Sequence, residues 1–412
     1  MQQQISTRLY SFLRSSLLAV FLVFSFQFVS AQPKTLSNEA TISLLTCGEG
    51  NDLYSIFGHT ALRVYDPVQN IDVAFNYGTF AFSDDFYYQF TMGKLNYRLS
   101  AEPFNRFVEG YQYENRWVRE QVLNLDSLQK DRAYNFLVNN LKPENAYYLY
   151  DFFYDNCSHR SADVFQSVLG DDLKFNFLHL EKQKTFRNMI DLYLRQMPWS
   201  DVGIDLGLGT PCDIICTPEL KMFLPHYMMD EFDRATVITN GIEVPFVKEN
   251  KLVVDAQPLV QEGFNWFHPL VFFIGFILLH NLILMTKVRF LIGTFDGLLY
   301  TIIGIAGWLI FFLWFITDHN GTRPNLNIMW AMPLYLPFGI AFLFASKAKL
   351  LRWIMQFING LLLLCLVFWV VLPQNLNEFY LPILVWLLYR NSERLGWFDW
   401  VKQRIGKRPT VV

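Results

Sequence analysis

Four long uncharged apolar stretches in the C-terminal part of the chain constrain the fold more than any other feature of the sequence. They are residues 263–286, 297–317, 324–346 and 353–377. Each is about long enough to cross the hydrocarbon core of a bilayer, ~30 Å thick, as a helix. A shorter apolar run, residues 379–389, is ambiguous by its length alone. The sequence therefore predicts a transmembrane domain over residues 261–390.

Basic residues between these stretches set the direction of each crossing, because cytoplasmic loops are enriched in Lys and Arg. The relevant residues are Lys287, Arg289, Lys347, Lys349, Arg352, Arg390, Arg394, Lys402, Arg404, Lys407 and Arg408. With the first half of the chain outside, the basic tail ends inside only if residues 379–389 also span. An all-α bundle of five transmembrane helices is predicted, with its last helix starting near Asn375 and residues 391–412 as a cytoplasmic tail.

The first 31 residues have the pattern of a secretory signal. Arg8 and Arg14 precede an apolar stretch, and residues 29–31 (VSA) suit a signal peptidase. An uncleaved anchor helix is the alternative. In both cases residues 32–260 are exported, so the prediction is a multi-pass inner-membrane protein with a periplasmic N-terminal domain.

The exported half is acidic. Residues 1–260 carry a formal net charge of −9, against +6 from residue 261 onward. This balance argues against a nucleic-acid partner, since such partners need a basic surface. The sequence contains no metal, nucleotide or cofactor motif. In an oxidising compartment a disulfide is permitted, and Cys212 with Cys216 is the nearest pair.

Local patterns in residues 32–260 predict an α+β domain. Apolar β-rich runs separated by turn residues predict strands, and apolar positions at helical spacing predict helices. The predicted strands cover residues 41–47, 59–65 and 72–77, the predicted helices cover residues 51–57, 126–141 and 157–169, and residues 147–155 are strand-like or extended.

Cys157 is the residue that most clearly indicates chemistry. Asn156 is a good cap residue, so Cys157 falls in the first turn of a helix, where backbone N–H groups and the helix dipole favour a thiolate. A nucleophilic thiolate needs a base within reach. His59, at the start of a strand, is the candidate base, and His159 is its rival, although position i+2 on the helix faces away from Cys157.

Further polar groups complete this hypothetical site. Asn76, on the strand after His59, is the candidate for fixing the tautomer of the imidazole ring. The helix amides and Tyr154 are candidates for stabilising an oxyanion.

Two other segments have open interpretations. The polar loop 317–327, which contains Asp318 and His319, is either a solvated turn or a contact to the exported domain at the membrane surface. The aromatic runs 86–90 and 147–154 either belong to a core or lie at the interface and line an acyl groove.

The order of these motifs resembles a known group of enzymes. A histidine on a strand followed by Asn-Cys at a helix start resembles the circularly permuted papain-like folds of the NlpC/P60 superfamily, whose lecithin:retinol acyltransferase branch has an Asn-Cys-x-His string like residues 156–159. The chain is most similar to the Lnb family of membrane proteins. The strings that carry this resemblance are residues 53–64 (LYSIFGHTALRV), 75–80 (FNYGTF), 155–160 (DNCSHR) and 317–319 (TDH).

The resemblance implies a permuted papain-like exported domain followed by transmembrane helices, and a lipoprotein N-acyltransferase activity. A phospholipid would donate an acyl chain to Cys157 as a thioester, with His59 as base, and the N-terminal amine of a diacylglyceryl-cysteine lipoprotein would accept it. Residues of the matching strings and the oxyanion candidate become candidates for substrate or oxyanion contacts, namely Tyr154, Asn156, Arg160, Asp318 and His319.

The resemblance is incomplete at one catalytic position. The second histidine of the retinol acyltransferase branch has no match here, and Asn76 stands on the next strand instead. Two alternatives also stay open: a membrane-tethered cysteine peptidase or peptidoglycan amidase on the same fold, and a non-enzymatic module that binds lipid or envelope proteins.

Overall fold

The strands of the N-terminal half form an antiparallel sheet that positions the candidate residues at one of its ends. The computed structural model describes residues 35–80, 84–177, 183–256, 266–343 and 349–398. The predicted signal segment and most of the predicted cytoplasmic tail lie outside the described residues.

The strands are β1 (Thr41–Cys47), β2 (His59–Asp66), β3 (Ile71–Thr79), β4 (Asn96–Pro103), β5 (Val118–Leu123), β6 (Tyr147–Leu149), β7 (Leu173–Lys174), β8 (Thr236–Thr239), β9 (Ile242–Pro245) and β10 (Val247–Val254). Seven of them form one sheet in the order β10-β5-β1-β2-β3-β4-β6, and β7, β8 and β9 form a smaller sheet. The central strands are connected in sequence, since β1 pairs with β2, β2 with β3 and β3 with β4, all antiparallel.

The helices of the sheet domain are α1 (Phe86–Met92), α2 (Phe104–Tyr113), α3 (Ser127–Asn140), α4 (Cys157–Leu169), α5 (Phe186–Leu194), α6 (Pro198–Gly207), α7 (Pro218–Lys221) and α8 (Pro225–Arg234). The C-terminal helices are α9 (Pro269–Thr286), α10 (Arg289–Phe315), α11 (Tyr335–Leu343), α12 (Lys349–Val367) and α13 (Leu381–Leu395). An α+β sheet domain followed by a helical region is as predicted.

Successive side chains of each strand point to opposite faces of the sheet, and both faces are buried. Ile42 and Leu62 point to one face, where they share a hydrophobic cluster with Phe165 of α4. Leu45 points to the other face and packs in a cluster with Phe104 of α2. Because α4 is packed on β2 and β3 by its apolar residues, its N-terminus is held over the same two strands.

One local prediction in this domain is wrong, and another holds only in part. Residues 51–57 form turns and not a helix, because Ser55 N–H donates to the carbonyl of Asp52 and Gly50 N–H donates to that of Ser55. The predicted extended run 147–155 is a strand only as far as Leu149, after which Asp151 and Asp155 pair across a tight turn.

Helices α9 and α10 are long and apolar enough to cross a membrane. Helices α10 and α11 approach each other closely at glycines. A Cβ at Gly304 would overlap the backbone of Leu336, and a Cβ at Gly339 would overlap Thr301. Close backbone approach at small residues is typical of packed transmembrane helices.

The predicted third span is only partly helical. Its helix begins at Tyr335, and the residues before it form a connection that polar side chains attach to the sheet domain. Asn325 donates to the carbonyl of Gly207 at 3.0 Å, and Asn327 donates to that of Asp205 at 2.8 Å. Hydropathy alone does not show which carbonyl groups these two asparagines bind.

The last helix extends beyond the predicted end of the membrane domain at residue 390. Arg390 and Arg394 therefore lie in α13 and not in a solvated tail, and both pair with the buried Asp296 of α10. His280 of α9 lies 3.3 Å from the same carboxylate and accepts a hydrogen bond from Trp386 at 3.1 Å. Buried charges persist in such places only when paired, so this cluster ties three helices together.

Candidate active site

Asn156 fixes the start of helix α4 and hence the position of Cys157. Its side-chain oxygen accepts hydrogen bonds from the backbone N–H groups of Ser158 at 2.9 Å and His159 at 3.2 Å. Its amide nitrogen donates to the carbonyls of Phe152 at 2.9 Å and Phe223 at 2.7 Å. The buried side chain thus acts as a helix cap and as an anchor to two other segments.

His59 is held in place by the residues around it. It is the first residue of β2 and follows Gly58, whose φ of 78° is in the left-handed region that favours glycine. Its ring Nε2 forms a hydrogen bond of 2.6 Å with Oδ1 of Asn76 on β3. Since an amide oxygen only accepts, Nε2 carries the proton, which leaves Nδ1 for Cys157.

The structure brings Cys157 and His59 together. The two side chains are close enough for each to shift the pKa of the other. Gly78, at an irregularity in the pairing of β3 with β4, lies against both, and a Cβ there would be 3.6 Å from Cε1 of His59 and 3.7 Å from Cβ of Cys157. The strand register and the helix cap therefore converge on one sulfur–imidazole pair.

The electrostatics of the pair favour its charged form. Burial alone would raise the pKa of Cys157, but the adjacent His59 and hydrogen bonds from Thr60 N–H and Ser158 hold it below its ordinary value. Burial alone would lower the pKa of His59, but the Cys157 sulfur and the hydrogen bond to Asn76 hold it above its ordinary value. Both shifts favour the form with a thiolate beside an imidazolium over the neutral pair.

The other cysteines differ from Cys157. All four are buried, whereas Cys157 is partly exposed. Burial raises the pKa of Cys47 and Cys212 to about 12 and that of Cys216 to about 11. Cys212 and Cys216 are free thiols, so the permitted disulfide is not formed in this structure.

Thr60 and Ser158 are two site residues that the sequence did not indicate. Their hydroxyl groups are 3.0 Å apart, and the Ser158 side chain and the Thr60 backbone N–H both help to lower the pKa of Cys157. Each follows a predicted catalytic residue directly in the chain. Their position next to His59 and Cys157 was the only signal in the sequence. It was not sufficient, because the direction of a side chain decides whether a neighbouring residue belongs to the site.

Three other predicted residues lie outside this pair. His159 contacts the capping Asn156 through Nδ1 at 3.2 Å. Tyr154 packs its ring on Phe186, at 5.5 Å between centroids, and its oxyanion contact stays a prediction. Arg160 pairs with Asp155, and its guanidinium lies 4.3 Å from the centre of the Tyr148 ring.

The loop after α10 contacts the sheet domain, which was one of its two predicted roles. Asp318 accepts a salt bridge from Lys94 at 3.2 Å, and its backbone N–H donates to the carbonyl of Met92 at 2.9 Å. The ring Nε2 of His319 lies 3.2 Å from the carbonyl of Thr91. Asp318 and His319 thus join the end of α10 to the end of α1 and do not contact Cys157 within the described ranges.

A group of carboxylates that the sequence did not indicate lies elsewhere in the domain. Asp191, Asp201 and Asp205 each place an oxygen within 4.8 Å of the others, beside a cavity of about 350 Å³. Burial and the two neighbouring carboxylates raise the pKa of Asp191 to about 8. Arg187 pairs with Asp205, and Asn377 donates to Asp201 at 2.7 Å.

Three features define the class of protein. They are a partly exposed thiol with a lowered pKa, an imidazole held by an amide oxygen, and long apolar helices that follow the sheet domain in the chain. This is a membrane protein whose exported α+β domain carries a Cys–His–Asn arrangement. Residues 28–191 match the family model described as the Lnb N-terminal periplasmic domain, and residues 261–396 match that described as the Lnb transmembrane domain. The chain belongs to the Lnb family.

Membership of this family indicates a lipoprotein-modifying membrane protein and an enzyme. Neither the curated proteins nor the solved structures contain a significant match to the chain.

Proposed function

We propose that the protein is a lipoprotein N-acyltransferase of the inner membrane, with its sheet domain in the periplasm. It would move an acyl chain from a phospholipid, through a thioester on Cys157, to the N-terminal amine of a diacylglyceryl-cysteine lipoprotein. The observation that carries the proposal is the Cys157–His59–Asn76 arrangement on a domain continuous with membrane helices. Family membership supports the same class of reaction.

In the first half-reaction the Cys157 thiolate attacks the ester carbonyl carbon of the phospholipid. The carbon–oxygen ester bond breaks, the acyl chain remains on sulfur, and the leaving lysophospholipid oxygen takes the proton held by His59. The backbone N–H of Cys157 belongs to the first turn of α4, where donors have no intrahelical acceptor, and is the candidate for stabilising the oxyanion.

In the second half-reaction the neutral amine of the lipoprotein cysteine attacks the thioester carbonyl. The carbon–sulfur bond breaks, an amide forms, the amine proton passes to His59, and the thiolate returns. Asn76 would hold the ring of His59 in one tautomer through both transfers, because its oxygen accepts from Nε2. No cofactor or metal enters this sequence of steps.

The test is Cys157→Ser in a strain that depends on this protein for triacylated lipoproteins. We expect mass spectrometry of a lipoprotein N-terminus to find the diacylated form alone. Cys216→Ser is the matched control, because Cys216 is buried with a raised pKa and should leave triacylation intact. Unchanged triacylation in the Cys157→Ser strain would refute the proposal.

A membrane-tethered cysteine peptidase or peptidoglycan amidase is the second candidate, and one observation favours it. Thiol, imidazole and amide oxygen in this order also serve peptide hydrolysis in papain-like enzymes. The two candidates differ in their first product. Purified full-length protein in phospholipid vesicles should release lysophospholipid, and release of cleaved muropeptides without lysophospholipid would favour the hydrolase.

A further inference from the structure

A series of aromatic rings connects the surroundings of Cys157 with helix α1. Tyr97 stacks on Tyr150 with 4.1 Å between ring centroids, and Phe80 lies 5.2 Å from Tyr97. Phe86, the first residue of α1, lies 5.3 Å from Phe80, and Phe90 lies 6.2 Å from Phe86. We call these five residues the aromatic row.

The inner end of the aromatic row lies close to the reactive sulfur. Burial raises the pKa of Tyr97 to about 12, and the charge of Cys157 adds to the same shift. Burial and then Cys157 also raise the pKa of Tyr150. Tyr97, Tyr150 and Cys157 pack against the same hydrophobic cluster. Gly78, whose added Cβ would lie 3.7 Å from Cβ of Cys157, is only two residues before Phe80 of the row. The row therefore begins beside the nucleophile.

The outer end of the aromatic row is an exposed apolar surface. Helix α1 has the sequence FYYQFTM, which contains no charged residue. Tyr87, Tyr88 and Phe90 are 76%, 66% and 56% exposed. Three large apolar side chains exposed together on a short helix are uncommon unless another apolar phase covers them.

The position of α1 indicates that the lipid bilayer is the apolar phase that covers these side chains. Its end is attached to the residues that follow α10, through the Lys94–Asp318 salt bridge and the hydrogen bond from Asp318 N–H to Met92. Helix α10 is one of two helices, among the residues that the structure describes, that are long and apolar enough to cross a membrane. Phe315 and Ile316 at its end are exposed. The exposed face of α1 is thus continuous with a lipid-facing surface at the level where α10 leaves the bilayer, which is where Tyr and Trp side chains accumulate.

We propose that α1 rests in the periplasmic leaflet of the membrane and that the aromatic row guides one phospholipid acyl chain from that leaflet to Cys157. The occupant of this surface is the acyl region of a phospholipid. The guiding role of the aromatic row rests on the proposed acyltransferase function, whereas the membrane contact of α1 does not.

Physical chemistry favours an aromatic path for such a chain. A methylene chain makes dispersion contacts with ring faces and requires no hydrogen-bond partner there. Tyrosine hydroxyls at the outer end can remain at the level of the lipid headgroups while their rings contact the chains. Asp318 and His319 become positioning residues in this account, since they hold α1 against the end of α10.

Photocrosslinking tests the membrane contact. Full-length Cys157→Ser protein is reconstituted in phosphatidylethanolamine vesicles that contain a phospholipid with a diazirine near the top of one acyl chain. We expect crosslinked lipid on the peptide that contains residues 86–92. The control is the peptide that contains Val68, which is 64% exposed in the turn after β2. At ~3.3 Å per strand residue, this turn lies ~25 Å from His59, at the opposite end of the strand.

Two outcomes would overturn the membrane contact of α1. One is crosslinking of the Val68 peptide as strongly as the α1 peptide. The other is crosslinking of the α10 peptide that contains Phe315 without any on α1.

Kinetics test the guiding role. In the triple variant Tyr87→Ser/Tyr88→Ser/Phe90→Ser, we expect release of lysophospholipid from vesicles to fall ~10-fold or more, since the variant loses the three exposed rings that contact the lipid. Release from a dispersed short-chain phosphatidylcholine should change less than about twofold, because that substrate need not leave a bilayer. The control variant Val68→Ser should match the unmodified protein on both substrates.

The results separate this inference from the proposed function. Unchanged release from vesicles by the triple variant, or an equal loss on both substrates, would overturn the guiding role. If the unmodified protein releases lysophospholipid from neither substrate while α1 is still crosslinked, the acyltransferase proposal and the guiding role fall together, and the membrane contact of α1 stands.

Discussion

The imidazole of His59 and the side-chain oxygen of Asn76 are 2.6 Å apart, on adjacent strands of one sheet. This contact assigns the proton to Nε2 and directs Nδ1 to Cys157. Adjacent strands hold both side chains at a fixed separation, so the ring is oriented before any substrate arrives. Such preorganisation is what a general base requires.

Replacing Asn76 should therefore impair turnover more than folding. For Asn76→Ala we expect lysophospholipid release to fall by about 10- to 100-fold, within the range that acid–base positioning contributes. The thermal unfolding midpoint should change little. The control is Asn250→Ala on β10, where the side chain is at the surface and donates to Asp233. Full activity in the Asn76 variant would remove this residue from the site.

Alkylation should report the lowered pKa of Cys157. In the unmodified protein we expect iodoacetamide to react with Cys157 at pH 7 faster than with the four buried cysteines. In His59→Gln the largest influence that lowers this pKa is gone, so the pH at which Cys157 becomes reactive should move upward. Quantitative mass spectrometry of each cysteine peptide measures this shift. An identical pH profile in both proteins would contradict the pairing.

Asp191 gives a prediction for stability against pH. Its pKa rises from 3.8 to about 8 in the folded protein, so the folded state keeps a proton that the unfolded state releases. The group therefore lowers stability progressively from about pH 4 to about pH 8.

Asp191→Asn should remove that pH-dependent loss. With a chelator present, we expect the variant to unfold at a higher temperature than the unmodified protein at pH 8, and the difference to shrink toward pH 4. Asp171→Asn in the exposed turn after α4 serves as control. A difference between the Asp191 variant and the unmodified protein that does not depend on pH would argue against a proton on Asp191.

The helix pair α10–α11 should be sensitive to added volume. In Gly304→Ala the new methyl would overlap the backbone of Leu336, and overpacking of this kind costs ~1–3 kcal/mol. We expect a lower unfolding temperature in detergent. Gly275→Ala on α9 is the matched control, because no other atom lies within 4 Å of its added Cβ. Equal stability of the two variants would be inconsistent with this packing.

The elements that carry the candidate site were predictable because each depends on local sequence. The cap at Asn156, the helix from Cys157 to Leu169 and the strand that starts at His59 all follow from residues within a few positions. From the sequence alone, it was a hypothesis that Cys157 and His59 lie next to each other. Their proximity rests on the pairing of β2 with β3 beneath α4, which places Cys157, His59 and Asn76 together at one end of these strands.

The features that sequence reasoning missed depend on distant residues. Asp296 receives Arg390 and Arg394 from a helix about one hundred positions further on, and no local pattern distinguishes these arginines from a solvated tail. Asn327 interrupts the predicted third span because it binds a carbonyl of α6. Hydropathy counts such residues but does not indicate their partners. A bundle of five spans and the permuted papain-like relationship remain predictions.

The most direct test is to capture the covalent intermediate. Full-length protein is incubated with phospholipid in the absence of any lipoprotein acceptor, quenched in acid and digested. We predict that the peptide containing Cys157 carries one acyl chain, that hydroxylamine releases it, and that His59→Gln strongly reduces it. If Cys157 stays unacylated while the protein still produces triacylated lipoprotein, the thioester mechanism is wrong.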